Sequence, residues 1–278
     1  MENIKICCIV PHAPILVLEV GGSQIERVRA TSESLSLLSR EIRQLSPETL
    51  VVVSPPHLRL ISREGFPVKA GKRVYGSLAR FGAPGAIVDA ATDTELIALI
   101  EEHASTRNIR IVRDFSDRED DWGLIVPLCL IAPPSYRVVS ISISPYLSLR
   151  EHYELGIAIR NAVEESSKPC VFISSGDMSH RLTPDAPSGY HPRGKEFDEL
   201  LVNIVRSGNL SKIFDIDPSL SDDAGEDCLW SISVLAGICE NQDYDTSLLS
   251  YEGSFGVGYM VARISFRNST QNHRVRFN

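Results

Sequence analysis

The sequence predicts an α/β fold of three layers, with helices on both sides of a central mixed, largely parallel sheet. Three observations carry this prediction. Short apolar runs of strand length alternate with longer segments of helical periodicity through most of the chain. The runs are apolar throughout, as strands covered on both faces are. A last pair of strand-like segments, joined by a glycine-rich turn, adds antiparallel character near the C-terminus. With 278 residues, 43% of them hydrophobic and 23% charged, the chain can bury a large core. No internal repeat or linker divides it, so one domain over residues 1–267 with a polar tail over 268–278 is expected.

Residues 4–10 form a continuous apolar run whose one charge is Lys5, a buried strand ended by Pro11-His12-Ala13-Pro14. Beyond Gly21 and Gly22, residues 23–45 place Ile25, Val28, Leu35, Leu38 and Ile42 at near-helical spacing. Residues 50–53 make a second buried strand, ended by Ser54-Pro55-Pro56-His57. Residues 59–85 read as short strands or a hairpin near the surface, and their basic residues (Arg59, Arg63, Lys69, Lys72, Arg73, Arg80) as a solvated face, with an anion-binding or gating role the alternative. A helix is expected over 92–103 with Thr92 as its N-cap, and a strand over 109–112. Asp120-Asp121-Trp122-Gly123 opens a buried apolar helix with Pro127 in its first turn.

Residues 138–143 read as a strand and 148–166 as a helix. A strand from Cys170 then stops at Ser174-Ser175-Gly176-Asp177-Met178-Ser179-His180. A helix over 192–207 follows, and Asp222-Asp223-Ala224-Gly225-Glu226 leads into an apolar helix through Leu229, Ile232, Leu235 and Cys239. Paired strands over 246–251 and 259–266 flank the glycine-rich residues 252–258, and the polar residues from Asn268 onward, including His273, Arg274 and Arg276, read as a frayed tail.

The formal net charge of −8 argues against non-specific binding to nucleic acid or to an anionic membrane. No apolar run approaches the ~20 residues of a spanning helix. The first residues enter a strand without a basic leader, and the six cysteines lack CxxC spacing, so a cytoplasmic setting with reduced, buried thiols is expected.

In open α/β sheets ligands bind beyond the carboxyl ends of the strands. His12, His57 and His180 each follow a buried-strand run by a few residues, so the three imidazoles can converge on one rim. Neutral imidazoles suit Fe, Zn, Cu or Ni, and two of them with a carboxylate leave positions open for substrate and dioxygen. Asp177, Asp223, Glu226, Asp227 and Glu252 are the carboxylate candidates, and Glu226, at the mouth of an apolar helix, reads equally as a ligand or as a charge complementing the helix N-terminus. Serine chemistry at Ser174, Ser175 or Ser179 lacks the GxSxG elbow. The glycine-rich segment lacks a phosphate-loop form and reads as a tight hairpin.

At Pro11-His12-Ala13-Pro14, Ser54-Pro55-Pro56-His57, Asp121-Trp122-Gly123 with Val126-Pro127-Leu128, the Ser174 to His180 stretch and Gly225-Glu226-Asp227, the chain resembles the class III extradiol ring-cleavage dioxygenases. Within them it is similar to the catalytic beta-subunit family of protocatechuate 4,5-dioxygenase. These motifs span nearly the whole sequence in family order. The resemblance implies a non-haem Fe(II) site, or another divalent metal such as Zn, held by His12, His57 and Glu226. It implies His180 as the acid–base residue, Asp121 and Trp122 at the substrate, and a small aromatic substrate with dioxygen as partners. No nucleic acid or membrane partner is expected, and a homo-oligomer is left open. Family members commonly carry Asp-His-Gly where this chain has Asp121-Trp122-Gly123, and an indole can stack on a ring but cannot transfer a proton. The chain is also similar to Memo-type proteins, which bind metal and partners without ring cleavage and use a cysteine as third ligand. Cys228 is the residue that keeps this alternative open.

Overall fold

Residues 4–10 bury everything but Lys5, so the first strand can only lie inside a sheet. The computed structural model describes residues 1–57 and 60–267. In chain order the first half contains β1 (Ile4–Val10), α1 (Leu18–Gly21), α2 (Arg29–Leu45), β2 (Thr49–Ser54), β3 (Phe66–Lys69), β4 (Arg73–Leu78), β5 (Ala83–Thr92), α3 (Thr94–Ser105) and β6 (Ile111–Asp114). The second half adds α4 (Trp122–Ile131), β7 (Arg137–Ser142), α5 (Leu149–Ser166), β8 (Cys170–Ser175), α6 (Pro192–Ser207), α7 (Pro218–Ala224), α8 (Leu229–Ile238), β9 (Tyr244–Glu252) and β10 (Tyr259–Phe266).

The strands form one sheet in the order β4-β5-β7-β2-β8-β1-β10-β9, with β3 pairing β7 and β6 off that path. From β5 through β1 every neighbour is parallel, and β10 and β9 close the far edge antiparallel. Because side chains alternate across a strand, the sheet has two cores. Phe172, Ile9 and Val51 face α3, α5, α6 and α8, while Ile173, Cys8 and Val52 face α2 and α4. This is the three-layer arrangement with a largely parallel sheet that the alternating pattern predicts.

Several boundaries differ from the sequence expectation, each for a local reason. The segment after Gly22 winds as a 3-10 turn to Val28 before the α-helix begins at Arg29. Thr92 ends β5 and Asp93 caps α3, its carboxylate accepting from Leu96 N–H at 3.0 Å. Residues 83–92 are a full strand, hidden in the sequence by its alternation of buried and exposed small residues. The strand expected at 109–112 lies at Ile111–Asp114. Pro127 sits in the middle of α4 rather than in its first turn.

The basic residues between 59 and 85 are not uniformly solvated. Arg63 lies over the Tyr146 ring, Arg80 over Trp122, and Lys69 is buried. Arg59 and the tail over 268–278, with His273, Arg274 and Arg276, lie outside the described residues. All six cysteines are free thiols, buried as expected except for Cys129, which is exposed, and among the described residues no helix is long and apolar enough to cross a membrane.

His152 on α5 is fully buried, with Phe66 edge-on to its ring. Its Nδ1–H donates to Ser148 O at 2.8 Å and its Nε2 accepts from Ser144 N–H at 3.3 Å, so both ring nitrogens are committed to the neutral form. Burial holds its pKa down to about 4. The unfolded chain takes up a proton near pH 6.5 that the fold refuses, so stability falls as pH drops from 6.5 toward 4. Urea unfolding should show this group removing about 2 kcal/mol between pH 7 and pH 4.5, and His152→Asn should flatten that part of the slope even though the variant is less stable throughout.

Candidate metal centre

The parallel register of β1, β8 and β2 builds the site. Val10 pairs with Ser175 and Val53 with Ser174, so three strand ends reach the same rim. The chain continues two residues from Val10 to His12, two from Ser175 to Asp177, and three from Ser54 to His57. His12 Nε2 lies 3.1 Å from His57 Nε2 and 3.3 Å from Asp227 Oδ2. Asp227 arrives from the opposite direction, on the turn that enters α8. That turn is locked to the β8 loop by a reciprocal pair: Asp177 N–H donates to Asp227 Oδ1 at 2.7 Å, and Asp227 N–H donates to Asp177 O at 3.2 Å. Gly176 permits the approach, since a Cβ there would lie 2.5 Å from Cys228 Cα.

The orientation of His12 has a cause several residues away. Pro127 has no N–H, so the carbonyl four residues earlier in α4, that of Gly123, lacks its helical donor. Ser175 Oγ–H donates to that carbonyl at 2.6 Å. With its proton so placed, the Ser175 oxygen can only accept from His12 Nδ1–H, at 3.3 Å. His12 Nε2 is then the nitrogen turned toward His57 and Asp227. Backbone donors fix the rest. His12 N–H donates to Asp177 Oδ1 at 2.9 Å, and His57 N–H to Asp121 Oδ2 at 2.8 Å.

Electrostatics favour positive charge at this point. Burial alone would lower the His12 pKa, but the carboxylates of Asp227 and Asp177 outweigh it and raise it to about 9. Burial of Asp227 is in turn outweighed by His12, which holds its carboxyl below the usual range, whereas Asp177 is pushed up by burial and by the Asp227 charge. His12, His57 and Asp227 each offer a ligand atom, all within 4.8 Å of one another. Two ligands on one ion at ~2.1 Å and roughly 90–110° apart are ~3.0–3.4 Å from each other. The 3.1 and 3.3 Å separations fit that requirement, and a nitrogen–oxygen donor set of this kind suits Fe, Zn or Mn.

The other candidate residues take different places. Glu226, which the motif resemblance implies as a ligand and whose position alone reads equally as a helix-terminal charge, has its carboxylate engaged away from the imidazoles. Its Oε2 accepts from the N–H groups of Cys228 and Leu229, both at 2.8 Å, and Ser221 Oγ–H donates to Oε1. It satisfies the orphan donors at the start of α8, and burial pushes its carboxyl up to about 7. Asp223 pairs with Arg193 at 2.7 Å, and Glu252 accepts from Thr31 N–H at 2.7 Å, so both are also apart from the cluster. Cys228 is buried, with burial and then Glu226 raising its thiol pKa, and it is not among the three grouped ligand residues.

Asp121 caps α4 through Gly123 N–H as well as holding His57. Trp122 lies flat against His57, ring centroids 4.2 Å apart and planes 9° apart, with Phe81 edge-on to its indole. His180 donates from Nδ1 to Gly225 O at 2.8 Å, leaving Nε2 as an acceptor 4.0 Å from Asp177 Oδ2. Asp177 therefore stands between His12 and His180. Sequence reasoning did not find Ser175 as the partner of His12. The available signal was Pro127 inside an apolar helix, which leaves a carbonyl in need of a donor.

Residues 6–262 match the family model described as the catalytic LigB subunit of aromatic ring-opening dioxygenase. Protein CA_C1420 of Clostridium acetobutylicum is 34% identical over 273 residues, covering 94% of this chain and 58% of that protein, so the chain spans under two thirds of that relative's length. An uncharacterized protein of Escherichia coli K12, JW3007, shares the fold with a TM-score of 0.65 at 17% identity, over 94% of this chain and 99% of that one.

The Ser175 relay is open to a double-mutant test. Ser175→Ala strands the Gly123 carbonyl and the His12 Nδ1–H, and should lower the unfolding free energy by about 1–3 kcal/mol. Pro127→Ala supplies the carbonyl with a helical donor. The double variant should therefore lose less than the two single changes predict together, and strict additivity in denaturant unfolding would show that the two residues do not share that carbonyl.

Proposed function

Because the chain belongs to the family of the catalytic LigB subunit of aromatic ring-opening dioxygenases, we propose that it is an Fe(II)-dependent extradiol dioxygenase acting on a catechol-type or related aromatic ring. The observation that carries this reading is the convergence of His12, His57 and Asp227, with His180 on the same rim. In this reading those three side chains hold the metal, and Asp227 takes the role that the motif resemblance gives to its neighbour Glu226. When bound, the metal supplies Lewis acidity and a path for electron density between the diol and dioxygen.

The chain's own residues do the rest. His180, whose Nδ1–H is committed to Gly225 O, offers Nε2 to take a proton from a diol hydroxyl and later return it. Asp177 orients His12 through its backbone N–H and faces His180 with its other oxygen. Trp122 holds the His57 ring in one plane, which limits the ligand to one direction of approach. A cytoplasmic setting fits the six free thiols.

A non-catalytic metal-binding interaction role is the second reading, and Trp122 is what favours it. The indole occupies a position where family members commonly offer a base, and its face is covered by His57.

Anaerobic loading with iron followed by dioxygen and a panel of catechols separates the two. Oxygen consumption with a yellow ring-opened product is expected, and full iron occupancy without oxygen uptake would favour the second reading. His180→Ala should keep its iron and lose about 10²–10⁴-fold in turnover. His12→Ala and Asp227→Ala should lose iron, measured by elemental analysis. Glu226→Gln should keep iron stoichiometry while losing about 1 kcal/mol of stability through its weakened cap.

A further inference from the structure

Lys69 ends β3 as a buried residue, 8% exposed. Its Nζ donates to the backbone carbonyls of Ser116 at 2.6 Å and Arg118 at 2.9 Å. An ammonium has three hydrogens to donate, and the third has no acceptor among the described residues. Nor does any carboxylate among them form an ion pair with it. The nearest in register, Asp114 across the β3–β6 pair, has its Oδ1 engaged by Ser116 N–H at 2.9 Å. The two carbonyls leave one hydrogen of the ammonium for a group in the cleft that Lys69 lines.

The surroundings of Lys69 indicate what that group is. It lines a cleft of about 410 Å³ together with Lys72, Arg73, Tyr75 and Arg118, in which Asp117 is the one acidic lining residue. A smaller hollow of about 180 Å³ shares Lys69, Ser116 and Arg118 with it, so the two adjoin, but Asp114 and Glu119 line the smaller one, which leaves the larger cleft as the more positive of the two. Arg73 is neutralised by Asp89. Lys72 and Arg118 have no ion pair among the described residues. Two exposed cations and one buried one therefore surround the same space. Neither hollow is lined by His12, His57 or Asp227.

We propose that this cleft is an oxyanion-binding site, taking the phosphate or carboxylate group of a small molecule between Lys69, Lys72 and Arg118. The guanidinium of Arg118 supplies a planar fork for two oxygens, and Lys69 a point charge that bulk salt screens poorly because it is buried. The assignment is independent of the metal reading, since it uses other residues and another cavity.

Calorimetric titration of the whole chain with inorganic phosphate, and separately with benzoate, tells a phosphate ligand from a carboxylate one. Saturable binding of at least one probe is expected, weakened tenfold or more in Lys69→Met and in the Lys72→Ala/Arg118→Ala double variant, and retained in His12→Ala. Lys69 also holds the 116–118 segment, so the double variant, which changes exposed side chains only, decides the matter if Lys69→Met does not fold. No saturable binding of either probe, binding unchanged in the double variant, or binding lost in His12→Ala would overturn the proposal.

Discussion

The parallel pairing of β2, β8 and β1 is the constraint from which the candidate centre follows. Parallel strands end on the same side, and with Val10 opposite Ser175 and Val53 opposite Ser174 their ends lie level. The next two or three residues of each chain segment must then share one small volume. Had one of these strands run antiparallel, its loop would sit at the other edge, and two imidazoles could not approach within 3.1 Å. The sheet thus brings together residues 45 positions apart in one case and 165 in another, and the buried apolar character of the strands is what enforces the pairing.

Within that frame the site is held by polar groups whose alternatives have been removed. Pro127 deprives the Gly123 carbonyl of its helical donor, Ser175 fills the vacancy, and His12 is left with one orientation. Gly123 itself is confined, because a Cβ would meet Pro55 O at 2.9 Å and the His57 ring at 3.3 Å. Asp121 and Asp177 play parallel parts, each accepting the backbone N–H of one histidine. The buried carboxylate of Asp177 and the half-buried one of Asp227 create a demand for positive charge at His12 that a proton meets and that a divalent cation would also meet. Loss of an outer group that fixes the orientation of a ligating imidazole typically costs about 10–100-fold in metal affinity.

Much of this was legible in the sequence, because it rests on patterns with a fixed period. Apolar runs at 4–10, 50–53 and 170–173 announce buried parallel strands, and a histidine or turn just beyond each marks the functional rim. What could not be read was direction at short range. Glu226 and Asp227 are adjacent carboxylates, and which one faces the imidazoles depends on which one caps α8. The longer Glu226 side chain folds back onto Cys228 and Leu229 N–H, and Asp227 is drawn inward by Asp177. Trp122 reads in sequence as a ring-stacking residue, but its partner is His57 of this chain. The basic residues of 59–85 could not be sorted into solvated and buried by composition, since Lys69 owes its burial to β6 arriving from more than 40 positions away.

The central claim is that the metal sits between His12, His57 and Asp227. An anomalous-difference map from crystals of the iron-loaded chain tests it most directly. The account predicts one strong peak in coordination contact with His12 Nε2, His57 Nε2 and an Asp227 carboxylate oxygen, with Glu226 still on the N–H groups of α8. A peak coordinated by Glu226 or by the Cys228 thiol, with Asp227 turned away, would contradict it.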